Sequence, residues 1–220
     1  MNLTQGLHRS AQLKPKGAAT IFGDRRRSWG EVRDRVARLA AGLVSLGLKP
    51  GDRVATIALN SDRYIEAYFA VWWAGGVIVP GNTRWALAEH IYALTDSGAD
   101  ILLVDASFAG LATPIREACP IRATVFLDDG PPPPGTIDVE PLIADMAPMA
   151  DACGQDDGLA ALFYTGGTTG RSKGVMLSHR SLITNFLCSS TTMPSRDDAI
   201  FLHSPPMFHL ADAAMVIGRP

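Results

Sequence analysis

An α/β fold with alternating strands and helices around a mainly parallel sheet is what this sequence predicts, and three observations carry the prediction. Short apolar runs of strand length, Val54 to Leu59, Val77 to Val79 and Ile101 to Val104, alternate with longer segments of helical character. A further apolar run, Leu159 to Phe163, empties into a glycine-rich loop, where a ligand is expected beside the carboxyl end of a strand. The chain has 220 residues, 47% of them apolar, and a net charge of −2, enough to bury a sizeable core.

Taken in order, Gly23-Asp24 separates Ile21-Phe22 from Ser28-Trp29 and predicts a hairpin. The basic run Arg25-Arg26-Arg27 is then expected in its solvated turn. Ser28 and Glu31 have capping-box spacing, and the helix they open places Val32, Val36, Leu39, Leu43 and Leu46 on one face before Gly47. Pro50-Gly51-Asp52 turns the chain into the strand from Val54. An apolar helix follows from about Asp62 to Ala74, stopped by Gly75-Gly76, and then the strand at Val77. A helix over Leu87 to Leu94 precedes the strand at Ile101. The run DDGPPPPG at 128–135 reads as an extended surface loop. A weaker boundary falls near 146–158, Val175-Met176-Leu177 reads as a strand, and Ala211 to Ile217 as an apolar helix.

Composition excludes several classes. The longest apolar stretch, Ala67 to Val79, has thirteen residues and contains Gly-Gly, short of the roughly 20 needed to cross a bilayer. The N-terminus lacks the apolar core of a secretion signal. Away from Arg25 to Arg27 no basic patch offers a footprint for nucleic acid. Cys119, Cys153 and Cys188 are far apart, form no metal spacing, and are expected as buried reduced thiols. A cytoplasmic protein is the expectation. Trp29, Trp72, Trp73 and Trp85 are expected to pack in the core or at interfaces. His8, His90 and His203 lie in no motif.

The chemistry concentrates in Tyr164-Thr165-Gly166-Gly167-Thr168-Thr169-Gly170-Arg171-Ser172-Lys173-Gly174. Four glycines, three threonines and one lysine lie within eleven residues. Amides converge on an anion only where no Cβ blocks the turn, so this density of donors points to phosphate. A Walker A loop fails in every register, because the fifth residue after Gly166, Gly167 or Gly170 is Arg171, Ser172 or Val175. No Gly-x-Gly occurs, which removes the dinucleotide fingerprint. Gly170 to Gly174 does fit the hydrolase pattern Gly-x-Ser-x-Gly around Ser172, with Asp197, Asp198 and His209 downstream in triad order. An elbow serine, however, sits on the turn from strand to helix, whereas Ser172 lies seven residues beyond Thr165 and precedes a strand.

The segment YTGGTTGRSKGVMLSH resembles the phosphate-binding signature of the adenylate-forming (AMP-binding) enzymes, of the acyl-CoA synthetase or fatty-acid-CoA ligase type. Ser172 stands where proline is commoner. Pro206-Met207-Phe208-His209 resembles the family's next motif. Gly51 to Val54, Asn60 and Gly75 to Pro80 are similar too, so the resemblance covers nearly the whole chain.

The resemblance implies an ATP-dependent acyl-CoA synthetase that joins a fatty or aryl carboxylic acid to AMP and passes the acyl group to coenzyme A. ATP, Mg2+ and coenzyme A are the implied cofactor and co-substrates. Thr165, Gly166, Gly167, Thr168, Thr169, Gly170 and Lys173 would bind phosphate, Thr165 would also lie near the metal, and His209 would be the catalytic residue at the acyl pocket. His179 is expected to start a helix capped by Ser178. Ala211, Ala213 and Ala214 leave space near His209, and Asp212 complicates a greasy tunnel. The family's adenine-side motif, ribose aspartate, hinge and C-terminal lysine have no counterpart here. Residues 1–220 are therefore expected to be a truncated N-terminal domain, inactive alone, its final helix exposing apolar surface through which a homodimer could form. A non-catalytic phosphate-binding module stays open as the alternative.

Overall fold

The computed structural model describes residues 1–154, 156–165, 171–192 and 199–218. Helix α1 (Gln5–Leu13) leads into a hairpin of β1 (Ala18–Phe22) and β2 (Arg25–Ser28), then α2 (Trp29–Ser45). Next come β3 (Arg53–Ile57), α3 (Asp62–Trp73), β4 (Val77–Pro80), α4 (Leu87–Ser97), β5 (Ile101–Val104), α5 (Ala112–Ala118) and β6 (Ala123–Phe126). The chain continues through β7 (Ile137–Asp138), α6 (Val139–Ala144), β8 (Leu159–Thr165), β9 (Lys173–Ser178), α7 (His179–Thr192) and α8 (Leu210–Gly218).

Seven strands form one sheet in the order β7-β6-β5-β3-β4-β8-β9, parallel throughout except for β9, which runs antiparallel to β8. Alternate residues of each strand feed separate cores on the two faces. Val54, Ile78, Ile101 and Leu103 join the α1, α2 and α3 side, whereas Ala55, Ile57, Val79 and Leu102 join the α4 and α5 side. Coverage on both faces is why these strands are mostly apolar, with Arg53 and Thr56 the polar exceptions in β3. The α/β class with a mainly parallel sheet thus matches expectation, as do the Ser28–Glu31 capping box and the two-residue hairpin turn, where Gly23 has φ +57°.

Helix α3 is the most enclosed element: of its twelve residues only Ile65 is not buried. Most of its polar groups find partners, whereas the Tyr64 hydroxyl is buried with none among the described residues. Trp72 Nε1 donates to the Ala160 carbonyl at 3.0 Å, Trp73 Nε1 to Met149 at 3.0 Å, and Tyr68 Oη to Met207 at 2.7 Å. Asp62 and Glu66, both buried, face Arg25, Arg27 and Arg35. Arg35 forks onto Glu66 at 2.8 and 3.0 Å and onto Glu140 at 2.8 Å, while Arg63 reaches Glu140 and Asp129. Buried charges survive only when paired and hydrogen-bonded, and here four arginines meet four carboxylates.

Three expectations need correction. Arg25 and Arg27 are not in a solvated turn: β2 carries them across to Asp62, whose own burial requires cations. Only Cys119 is buried, whereas Cys153 and Cys188 are exposed. The last helix does not present its apolar face to solvent, since Ala213, Ala214, Val216 and Ile217 are covered. Apolar exposure lies instead at Ile200 (82%), Leu202 (79%) and Met176 (69%). The segment 146–158 is hydrogen-bonded into α2 and α3 through Met149 N to Ala37 O and Ala152 N to Trp73 O. No helix among the described residues is long and apolar enough to cross a membrane.

Burial pushes the Glu140 carboxyl up, but Arg35 and Arg63 together outweigh it and hold the group at about 2, below its ordinary 4.5. A depressed carboxylate contributes stability that is present above its unfolded pKa and is lost as pH falls through the folded one. Glu140→Gln should therefore lower the urea midpoint clearly at pH 6, and that deficit should shrink steadily as both proteins are compared at pH 4 and pH 3.

Candidate functional site

The parallel strands place their carboxyl ends together, and the two motif-bearing segments reach that edge. Strand β8 runs parallel to β4 and ends at Thr165. Strand β9 returns antiparallel, with Lys173 directly opposite Thr165. The base of the glycine loop is thus one cross-strand pair, an exposed hydroxyl facing an exposed ammonium. Gly166, Gly167, Thr168, Thr169 and Gly170 lie outside the described residues.

The flanks of this loop are held by Tyr92 and Asp96 of α4 and by Trp85 just before that helix. Tyr164 Oη donates to Asp96 Oδ2 at 2.7 Å, and its ring meets Trp85 and Tyr92 edge-on at 6.2 and 6.5 Å. Burial first, and Asp96 second, push the Tyr164 phenol up, so it remains a neutral donor. On the other flank the Arg171 guanidinium lies 5.4 Å from the centre of the Tyr92 ring. Gly174 makes room for this arrangement: a Cβ there would come within 3.0 Å of the Tyr164 ring. Tyr92 and Asp96 are four apart on one helix, but nothing local links them to residues seventy positions away.

His90 is fully buried on α4, edge-on to Trp85 at 5.6 Å, and burial lowers its imidazole to about 4. It is a neutral packing residue behind the cluster. His179 begins α7 and is buried, while the Ser178 hydroxyl accepts from Ser181 N at 3.1 Å as the expected cap. Ser172 precedes β9 and not a helix, so it has no nucleophile elbow. Asp197 and Asp198 lie outside the described residues.

Asn60, just beyond β3, fixes the second motif. Its Nδ2 donates to the carbonyls of His203 and Pro205 at 2.9 and 2.7 Å, and its Oδ1 accepts from Met207 N at 2.7 Å. With Tyr68 on the Met207 carbonyl, both backbone groups of Met207 are held. His209 follows, exposed, immediately before α8; its carbonyl accepts from Asp212 N and Ala213 N, and its Nδ1 from Ala211 N at 3.3 Å. Asp212 does not line an open tunnel. It is fully buried and lies 2.8 Å from His203 Nδ1. No hydrogen bond joins His209 to Thr165 or Lys173 among the described residues. The structure brings them to one edge of the sheet by way of β3, β8 and β9.

The Asn60 clamp generates a direct expectation. Asn60→Ala removes three hydrogen bonds and leaves the Met207 amide unpaired, which should cost about 1–3 kcal/mol. Amide exchange at Met207 should accelerate strongly while the central strands β3, β4 and β5 keep their protection. Equal acceleration everywhere would show instead that the clamp holds nothing in particular.

Residues 7–218 match the family model described as AMP-binding enzyme. A feruloyl-CoA synthase of Amycolatopsis is 36% identical over 208 residues, which are 94% of this chain and 40% of that protein. A long-chain-fatty-acid–CoA ligase of Thermus thermophilus is also 36% identical, over 88% of this chain and 37% of its own. The ATP-bound MatB of Rhodopseudomonas palustris superposes with a TM-score of 0.84 at 31% identity, over 99% of this chain and 44% of that one. The chain therefore spans about 40% of the length of the curated relatives it matches. The parallel sheet, the Thr165–Lys173 loop base and the match over 7–218 together make this chain a member of the AMP-binding enzyme family, among relatives that are acyl-CoA ligases.

Proposed function

We propose that this chain is the phosphate-binding portion of an ATP-dependent acyl-CoA synthetase, acting on a fatty or aryl carboxylic acid in the cytoplasm. The observation that carries the reading is the hairpin of β8 and β9, which sets Thr165 against Lys173 at the mouth of the glycine loop. The donor set fits a nucleotide: a cation and a hydroxyl at the base, with the loop amides of 166–170 between them. ATP with Mg2+, when bound, supplies an activated α-phosphorus and a pyrophosphate leaving group.

The chain's own residues act by position and charge. Lys173 offsets negative charge on the leaving phosphates, and Thr165 offers its hydroxyl to phosphate or to the metal's shell. His209, exposed and with Nδ1 occupied by the Ala211 amide, has Nε2 left to meet the acid's carboxylate. In the overall reaction a carboxylate oxygen bonds to the α-phosphorus as pyrophosphate departs; the thiol of coenzyme A then bonds to the acyl carbon as AMP departs. A phosphate-binding module without catalysis is the second reading. A serine esterase at Ser172 is set aside because β9, not a helix, follows that residue.

Calorimetric titration of the 220-residue chain with Mg·ATP and with pyrophosphate tests the reading. Binding near millimolar, about −4 kcal/mol, should appear in the wild type and vanish in Gly167→Val. Absence of binding in the wild type would overturn a preformed phosphate loop in this chain. The same chain should form no acyl-CoA from acid, ATP and coenzyme A; turnover that Lys173→Ala abolishes would refute that expectation.

A further inference from the structure

His203 and Asp212 are nine positions apart and meet across the motif that carries His209. Asp212 sits in the first turn of α8 with its side chain 0% exposed, its Oδ2 2.8 Å from His203 Nδ1. Its other oxygen, Oδ1, is buried with no hydrogen-bond partner among the described residues. The helix N-terminus favours an anion there by a fraction of a kcal/mol up to about 1 kcal/mol. That falls short of the several kcal/mol a buried ion costs, so an apolar residue would serve mere packing better. What the carboxylate does achieve is closure. The His203 side chain is tied to α8, the His203, Pro205 and Met207 backbone is tied to Asn60, and the Met207 carbonyl is tied to Tyr68. Residues 203–212 become a closed loop whose one exposed imidazole is His209, with Ala211 N donating to its Nδ1. An occupied Nδ1 acceptor makes Nε2 the N–H of the neutral ring, which is the atom able to donate to a carboxylate.

We propose that His203 and Asp212 are a positioning pair that locks the 203–212 turn and so holds His209 as the Nε2–H tautomer, the form suited to bind the acid substrate. The inference rests on the proposed ligase reading only for the word substrate; the positioning itself is independent of nucleotide. His203 has a side chain 20% exposed, so its truncation leaves the core intact.

The test is nitrogen NMR of the imidazoles in the 220-residue chain, with amide exchange at Met207, Asp212 and Ala213, in wild type, His203→Ala, His203→Asn and Asp212→Asn. Wild type should show His209 as one Nε2–H species. His203→Ala and Asp212→Asn should average the two tautomers and speed those three amides about tenfold. His203→Asn, whose side-chain amide reaches the place of Nδ1, should restore both signatures. Unchanged His209 signals in His203→Ala would overturn the proposal, as would acceleration shared equally by β3, β4 and β5, or no rescue by asparagine. If Asp212→Asn does not fold, the His203 pair of variants decides alone. No nucleotide is added, so failure here leaves the phosphate-loop reading standing, and failure of the titration leaves this one standing.

Discussion

Burial of α3 on nearly its whole circumference is the constraint from which the rest of the structure follows. A helix enclosed that way loses water from its polar atoms, so its charged groups, its two indoles and Tyr68 recruit partners from elsewhere in the chain. Asp62 and Glu66 bring in Arg25, Arg27 and Arg35 from the hairpin and α2. Trp72 fixes the start of β8 at Ala160, Trp73 fixes Met149, and Tyr68 fixes Met207. The two segments that bear the candidate site, β8 and 203–209, are therefore both attached to the same buried helix. Removing one partner leaves a stranded donor or charge in the interior, a larger penalty than the pair's net worth.

The glycine loop is mounted from both ends on α4. Tyr164 before it meets Tyr92 edge-on and Arg171 after it lies over the same ring, with Asp96 and Trp85 completing the seat. Positioning dominates phosphoryl chemistry, because the reaction draws on charges set in place beforehand. Aromatic contacts fix the flanks of the loop, and Thr165 is paired in register with Lys173. The second motif is mounted in the same manner but with hydrogen bonds, through Asn60 and the His203–Asp212 pair. Both mounts use side chains that touch no phosphate in the reading offered, which is why motif spacing alone passes over them.

Legibility in the sequence followed the range of the interactions. Capping at Ser28, the stop at Gly47, the helix from Asp62 and the strand at Val77 depend on neighbours within a few residues, and the structure has them where the pattern put them. Arg25 and Arg27 were misread because a basic run beside a Gly-Asp turn is normally solvated. Only the fold brings Asp62, 37 and 35 positions further on, to meet them. The last helix departs from expectation for a related reason: it packs against α7, and its Ala213, Val216 and Ile217 join the core cluster that α2 and α3 also build.

By itself the sequence determined the α/β class, the order of its main elements and, through the motif at 164–174, the family, since periodicity, capping and motif spacing act locally. Tertiary structure alone decided which arginines neutralise α3, that Tyr164 and Arg171 share a seat on α4, and that His203 meets Asp212 behind His209. Those pairings join residues from nine to 79 positions apart, and a chain reveals them only once burial forces polar groups to find their partners.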